Sequence, residues 1–110
     1  MDDRELLELA AKAAGYDLHI WGRTGAEDVA IIPSGRRWNP LTDDGDAMRL
    51  AVKLHIPISF PFKSDDLQTR GNTVVTWSEN EPHEEEEGDN CFAAARRAIV
   101  RAAAEIGRAM

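Results

Sequence analysis

The sequence predicts an α/β (α+β) fold: a single-domain sandwich of order α-β-β-α-β-β-α, with a mostly antiparallel four-stranded sheet covered by three helices. Three observations carry this. The chain has 110 residues, the size of one domain. Helical spacing of apolar residues occurs three times, at the start, the middle and the end. Short stretches with strand character fall in pairs between those helices, and pairs joined by short connections favour antiparallel packing.

The first helix is written in "DDRELLELAAKAAG". Asp2 followed three residues later by Glu5 is a capping-box arrangement. Leu6, Leu9, Ala10 and Ala13 share one face, with Leu7 and Ala14 beside them. Glu8 and Lys12 are spaced to pair on the outer face, and Gly15 suits the helix end. "YDLHIW" (16–21) alternates as a first strand and "DVAIIP" (28–33) as a second that stops at Pro33, with "GRTGAE" as the turn between them. Trp21 is large and apolar on the strand face opposite Leu18 and Ile20, which favours helices on both faces of the sheet.

Next comes "WNPLTDDGDAMRLAV". Asn39-Pro40 marks a turn. Thr42 is the expected N-cap, with Asp43 and Asp44 in the first turn, where the helix dipole favours negative charge. Ala47, Leu50, Ala51 and Leu54 make the buried stripe, widened by Met48 and Val52, and Arg49 and Lys53 face outward. Pro57 prevents continuation. "ISFPF" (58–62) and "NTVVTWSE" (72–79) are the third and fourth strands, with "KSDDLQTRG" as loop. In the last helix, capped by Asp89 or Asn90, the apolar face is Phe92, Ala95, Ile99, Ala102, Ala103 and Ile106. Arg97, Arg101, Glu105 and Arg108 form the opposite stripe, with Arg96 beside it.

The formal net charge is −7. Residues 79–89, "ENEPHEEEEGD", hold seven carboxylates and no Lys or Arg, which leaves thirteen acidic against thirteen basic residues elsewhere. This segment reads as a flexible acidic loop over 80–89 within the single domain 1–110, because blocks of like charge stay solvated. A basic nucleic-acid surface is disfavoured. The lone cysteine, Cys91, cannot form an internal bridge, and no segment is apolar enough to span a bilayer.

Motifs for catalysis or cofactors are missing. "DDGD" at 43–46 does not match a calcium loop, since the twelfth position from Asp43 is Leu54. His19, His55 and His83 lack zinc spacing, and no phosphate-binding or nucleophile-elbow motif occurs. Cys91 at a helix start has no identified base. The expectation is therefore a binding protein, not an enzyme, with no metal and no cofactor. Its expected ligand site combines Trp38, Asn39 and Arg49 with Arg96, Arg97 and Arg101, because an aromatic ring beside arginines suits a nucleobase joined to phosphate.

The blocks "WNPLTDDGDAMRLAVKL" and "AAARRAIVRAAAEIGRAM" resemble the phage ABA-sandwich domain family of small tailed-phage and prophage accessory proteins, and more faintly the NinX-like proteins of lambdoid phages. The two blocks cover about a third of the chain. The family name implies helix layers around a sheet. The resemblance implies a phage protein in the host bacterial cytoplasm, without catalytic residues to carry over. Its expected role is anti-defence: sequestering an anionic nucleotide-type immune signal, with oligomerisation helping so short a chain enclose a ligand. The alternatives are a protein–protein inhibitor of a host defence or host enzyme, through acidic mimicry or an exposed tryptophan face, and a phage protein with no anti-defence role.

Overall fold

The computed structural model describes residues 2–17, 20–24, 27–32, 36–60, 73–78, 81–86 and 90–110. The order is α1 (Asp3–Ala14), β1 (Ile20–Thr24), β2 (Glu27–Ile31), α2 (Asp44–Leu54), β3 (Ile58–Ser59), β4 (Thr73–Ser78), β5 (Glu81–Glu86) and α3 (Cys91–Arg108). The mixed α and β class agrees with the sequence, but among the described residues the strands fall into two sheets instead of one four-stranded sheet. β1 and β2 form an antiparallel hairpin, and β3-β4-β5 form a separate three-stranded antiparallel sheet.

The fifth strand is the acidic run. Residues 81–86, expected as loop, pair along β4 from Ser78↔Glu81 to Thr73↔Glu86. Pairing is possible because the alternation of a strand divides the charges. His83 and Glu85 lie on the face toward α3, where Arg97 and Arg101 meet Glu85 at 3.3 and 3.2 Å. Glu84 on the opposite face stays exposed. Pro82 fits for a related reason. Its register partner Trp77 turns its N–H the other way, to Pro57 O at 3.3 Å, so the ladder needs no donor from residue 82.

α3 is the central helix. It packs on β4 and β5 on one side and on α1 and α2 on the other. Among the described residues, the helix layer thus lies on one face of the three-stranded sheet, and α1 and α2 reach it through α3, in contrast to the expected cover on both faces. Trp21, which motivated that expectation, falls in the hairpin, whose side chains lie outside the description. So do the loop 63–71, His19 and the ends of the expected strands at 33, 61–62, 72 and 79.

Its central position explains the long buried stretch of α3, at Ala94, Ala98, Ile99, Val100, Ala102, Ala103, Ala104 and Gly107. α1 runs in the same direction beside it, with Asp3 near Arg97 and Lys12 near Met110 O. At Gly107 the two backbones come so close that an added Cβ would sit 1.9 Å from Leu9 O. The main core joins Leu6, Leu7, Ala10, Ala11, Ala14, Trp38, Leu50, Ala51, Ile99 and Val100. Val74, Ala94 and Ala98 form a smaller cluster, and Ile58 packs against both. Buried Thr76 anchors sheet to helix by donating to Ala98 O at 2.7 Å.

Local signals hold with small shifts. Asp2 caps α1 through Glu5 N, Asn90 caps α3, and Gly15 ends α1 at φ 78°. Tyr16 belongs to that helix end, not to a strand, since its N–H bonds Ala11 O at 2.8 Å. Asp43, not Thr42, caps α2, accepting from Asp46 N. Glu8 pairs with Arg4 at 3.2 Å instead of with Lys12. Met48, Val52 and Phe92, assigned to apolar stripes, are exposed. No helix among the described residues is long and apolar enough to cross a membrane.

Candidate functional site

The six residues expected to share a ligand site serve three different places. Trp38 is a core residue, 2 % exposed, with Tyr16 edge-on to its ring at 5.7 Å. The core uses the ring, which leaves no open face for a nucleobase to stack on. Asn39 shapes the turn into α2. Its Oδ1 accepts from Leu41 N at 3.0 Å, and its carbonyl accepts from Thr42 N and Asp43 N.

Both of these residues depend on one to which the sequence reading gave no role. Asp46 is 3 % exposed and accepts from Asn39 N (3.0 Å), Arg36 Nη1 (3.0 Å) and Arg49 Nη2 (2.9 Å). Burial alone would raise its pKa, but the three donors outweigh burial and hold the carboxyl below its ordinary 3.8. Arg49 is therefore a clamp on Asp46, with Asp43 3.8 Å away. The signal in the sequence was the spacing: Asp46 lies on the same helix face as Ala47 and Leu50, and a buried acid needs partners.

The three α3 arginines diverge. Arg96 turns to α2, donating to Leu41 O at 2.8 Å and pairing with Asp44. Arg97 pairs with Asp3 (3.1 Å) and Glu85, and Arg101 pairs with Glu85 and donates to Glu84 O at 2.7 Å. Arg97 and Arg101 thus face β5, where they line a polar cleft of about 350 Å³ with Leu6, His83, Glu85 and Glu105. His83 is buried, its Nε2 2.7 Å from Ser78 Oγ. Burial first, then the charge of Arg101, lower its pKa below 6.5, against the opposite pull of Glu105 and Glu81.

A second hollow lies between α2, β3 and the start of α3. It encloses about 550 Å³ and is mainly apolar, lined by Ala47, Met48, Ile58, Phe60, Phe92 and Ile99, among others, with Asp44 and Arg96 at the rim. Met48, Phe60 and Phe92 are 57, 62 and 63 % exposed. Cys91, exposed, also borders it. No cluster of three or more His, Cys, Asp or Glu side chains suited to a metal occurs among the described residues. No family model, no curated protein and no solved structure matches the chain.

Proposed function

We propose that this chain is a small accessory protein of the phage type, acting by binding another protein chain through the apolar groove between α2, β3 and α3. The observation that carries this reading is the grouping of Met48, Phe60 and Phe92 around one concave surface. Large apolar side chains left in water forgo roughly 25 cal/mol per Å² of burial, and contiguous exposed apolar patches on small proteins mark interaction sites. A helix face that places Phe92 outward at its first turn is shaped for a partner, not for the chain's own core. A host defence protein or host enzyme is the partner class that the phage resemblance suggests, and the negative charge of the chain favours encounter with a basic one.

The test compares wild type with two variants as bait in a bacterial lysate. Phe92→Glu should lose a protein that wild type retains, whereas Arg97→Gln with Arg101→Gln should keep it. The reverse pattern would move the working surface to the polar cleft. A second reading, capture of an anionic nucleotide-type signal, draws support from Arg97, Arg101 and His83 around that cleft. Against it, Glu85 already engages both arginines and Glu105 adds another carboxylate. A panel of cyclic nucleotides and ADP-ribose derivatives that raises the melting temperature would favour this second reading.

A further inference from the structure

We propose that the groove face seats a second copy of this chain, with β3 pairing antiparallel to β3 of that copy about a two-fold axis through Ser59. The inference rests on the protein-binding reading of the groove and assigns a second copy, in place of a host protein, as its occupant.

The two edges of the three-stranded sheet are finished differently. The β5 edge is closed by Pro82, by the exposed Glu84 and by Arg101, which bonds the outward carbonyl of Glu84. Prolines and charges on an edge strand are how sheets avoid further pairing. Among the described residues the β3 edge carries no charge over Ile56-Pro57-Ile58-Ser59-Phe60, and its proline, Pro57, is turned toward β4 instead of outward.

The outward backbone groups of β3 match themselves. Trp77 N–H bonds Pro57 O, so residues 57 and 59 address β4 and Ile58 turns its N–H and C=O away from it; the same alternation, carried one residue past β3, would set those of Phe60 outward as well. A two-fold axis at Ser59 sets Ile58 opposite Phe60 of the second copy and Phe60 opposite its Ile58. Each pair exchanges two N–H···O bonds, so all four outward groups of each chain are used. Pro57 does not interfere, because its missing donor would have pointed to β4. Ser59, small and uncharged, meets its own counterpart.

Side chains and charge agree with this pairing. Phe60 shares the face of Ile58, which packs toward α3, and lies in the same groove as Phe92 and Met48. Joining the edges brings the two grooves together and covers the exposed aromatics. The rim charges Asp44 and Arg96 already neutralise each other. In the resulting order β5-β4-β3-β3-β4-β5 the acidic strands stand five spacings apart, about 24 Å. That is well beyond the Debye length of about 8 Å at physiological ionic strength. A chain of net charge −7 therefore associates on this face with little like-charge cost.

The test is sedimentation equilibrium together with a register-specific cross-link. Wild type should sediment as a dimer of the 12.2 kDa chain. Phe60→Glu and Phe92→Glu, both at exposed positions, should weaken dimerisation by at least about tenfold, with circular dichroism unchanged, and Glu84→Gln should leave it alone. In a Cys91→Ser background, Ser59→Cys should form an intermolecular disulfide under mild oxidation, since facing Cα atoms in such a pair lie about 4.5 Å apart. A wild-type monomer at the highest soluble concentration, a dimer indifferent to both glutamates, or a dimer that does not cross-link would each overturn the proposal. A wild-type monomer that still loses a captured host protein on Phe92→Glu would overturn the dimer alone and leave the protein-binding reading standing.

Discussion

Asp46 shows how one residue sets the conformation of a whole segment. Its carboxylate gathers Asn39 N, Arg36 and Arg49 while Asp43 caps the same helix. The turn that delivers Trp38 into the core is thereby tied to the first turn of α2. Asp46→Ala leaves a backbone donor and two arginines without their acceptor and should cost about 2–3 kcal/mol, measured by urea unfolding. The "WNPLTDDGDA" block was legible as a turn and a helix start. Its internal wiring was not, because a sequence does not show which of four neighbouring polar residues is buried. The same uncertainty turned Trp38 from a candidate stacking platform into core. Two groups also fix the sign of a pH effect. His83 titrates below 6.5 in the fold, so the unfolded chain takes up a proton first as pH falls. Stability present above pH 6.5 is lost as pH falls through the folded value, and Asp46 adds a loss of the same sign below 3.8. Melting temperature should fall between about pH 7.5 and 5, with a shallower slope in His83→Gln. An unchanged slope would remove His83 from the account.

At the scale of elements, the helices were readable from periodicity and caps, since both are local. The acidic run was not. Six residues rich in glutamate favour solvent on their own, and only the arginines of α3, some fifteen residues further on, make a strand of them. The arginine stripe was correctly seen as one helix face but assigned to an anionic ligand, because the sequence does not reveal that α3 lies between sheet and helices. Gly107 is a further case. A glycine inside a helix costs about 1 kcal/mol relative to alanine in propensity alone, yet here it lets α3 approach the backbone of α1 at Leu9. Gly107→Ala should therefore destabilise, by about 3 kcal/mol as overpacking against a backbone atom. A gain in thermal stability would mean that the helices are not in contact there.

For the whole molecule, the distribution of finished and unfinished surface matters most. Carboxylates crowd the β5 edge, paired arginines line the polar cleft, and apolar side chains stand open at the β3 edge. That last surface was hidden in the sequence because Met48 and Phe92 keep helical spacing with core residues. They read as core until the packing shows that their side of α2 and α3 has no neighbour among the described residues to cover it. The central claim is that this face, not Trp38 or the arginines, is where the protein works. Residue-resolved amide exchange, followed as protein concentration is raised, tests it most directly. The Ile58 and Phe60 amides should slow in step with association, while the outward amide of Glu84 on β5 stays unchanged. Slowing at Glu84 with none at Ile58 and Phe60 would contradict the account.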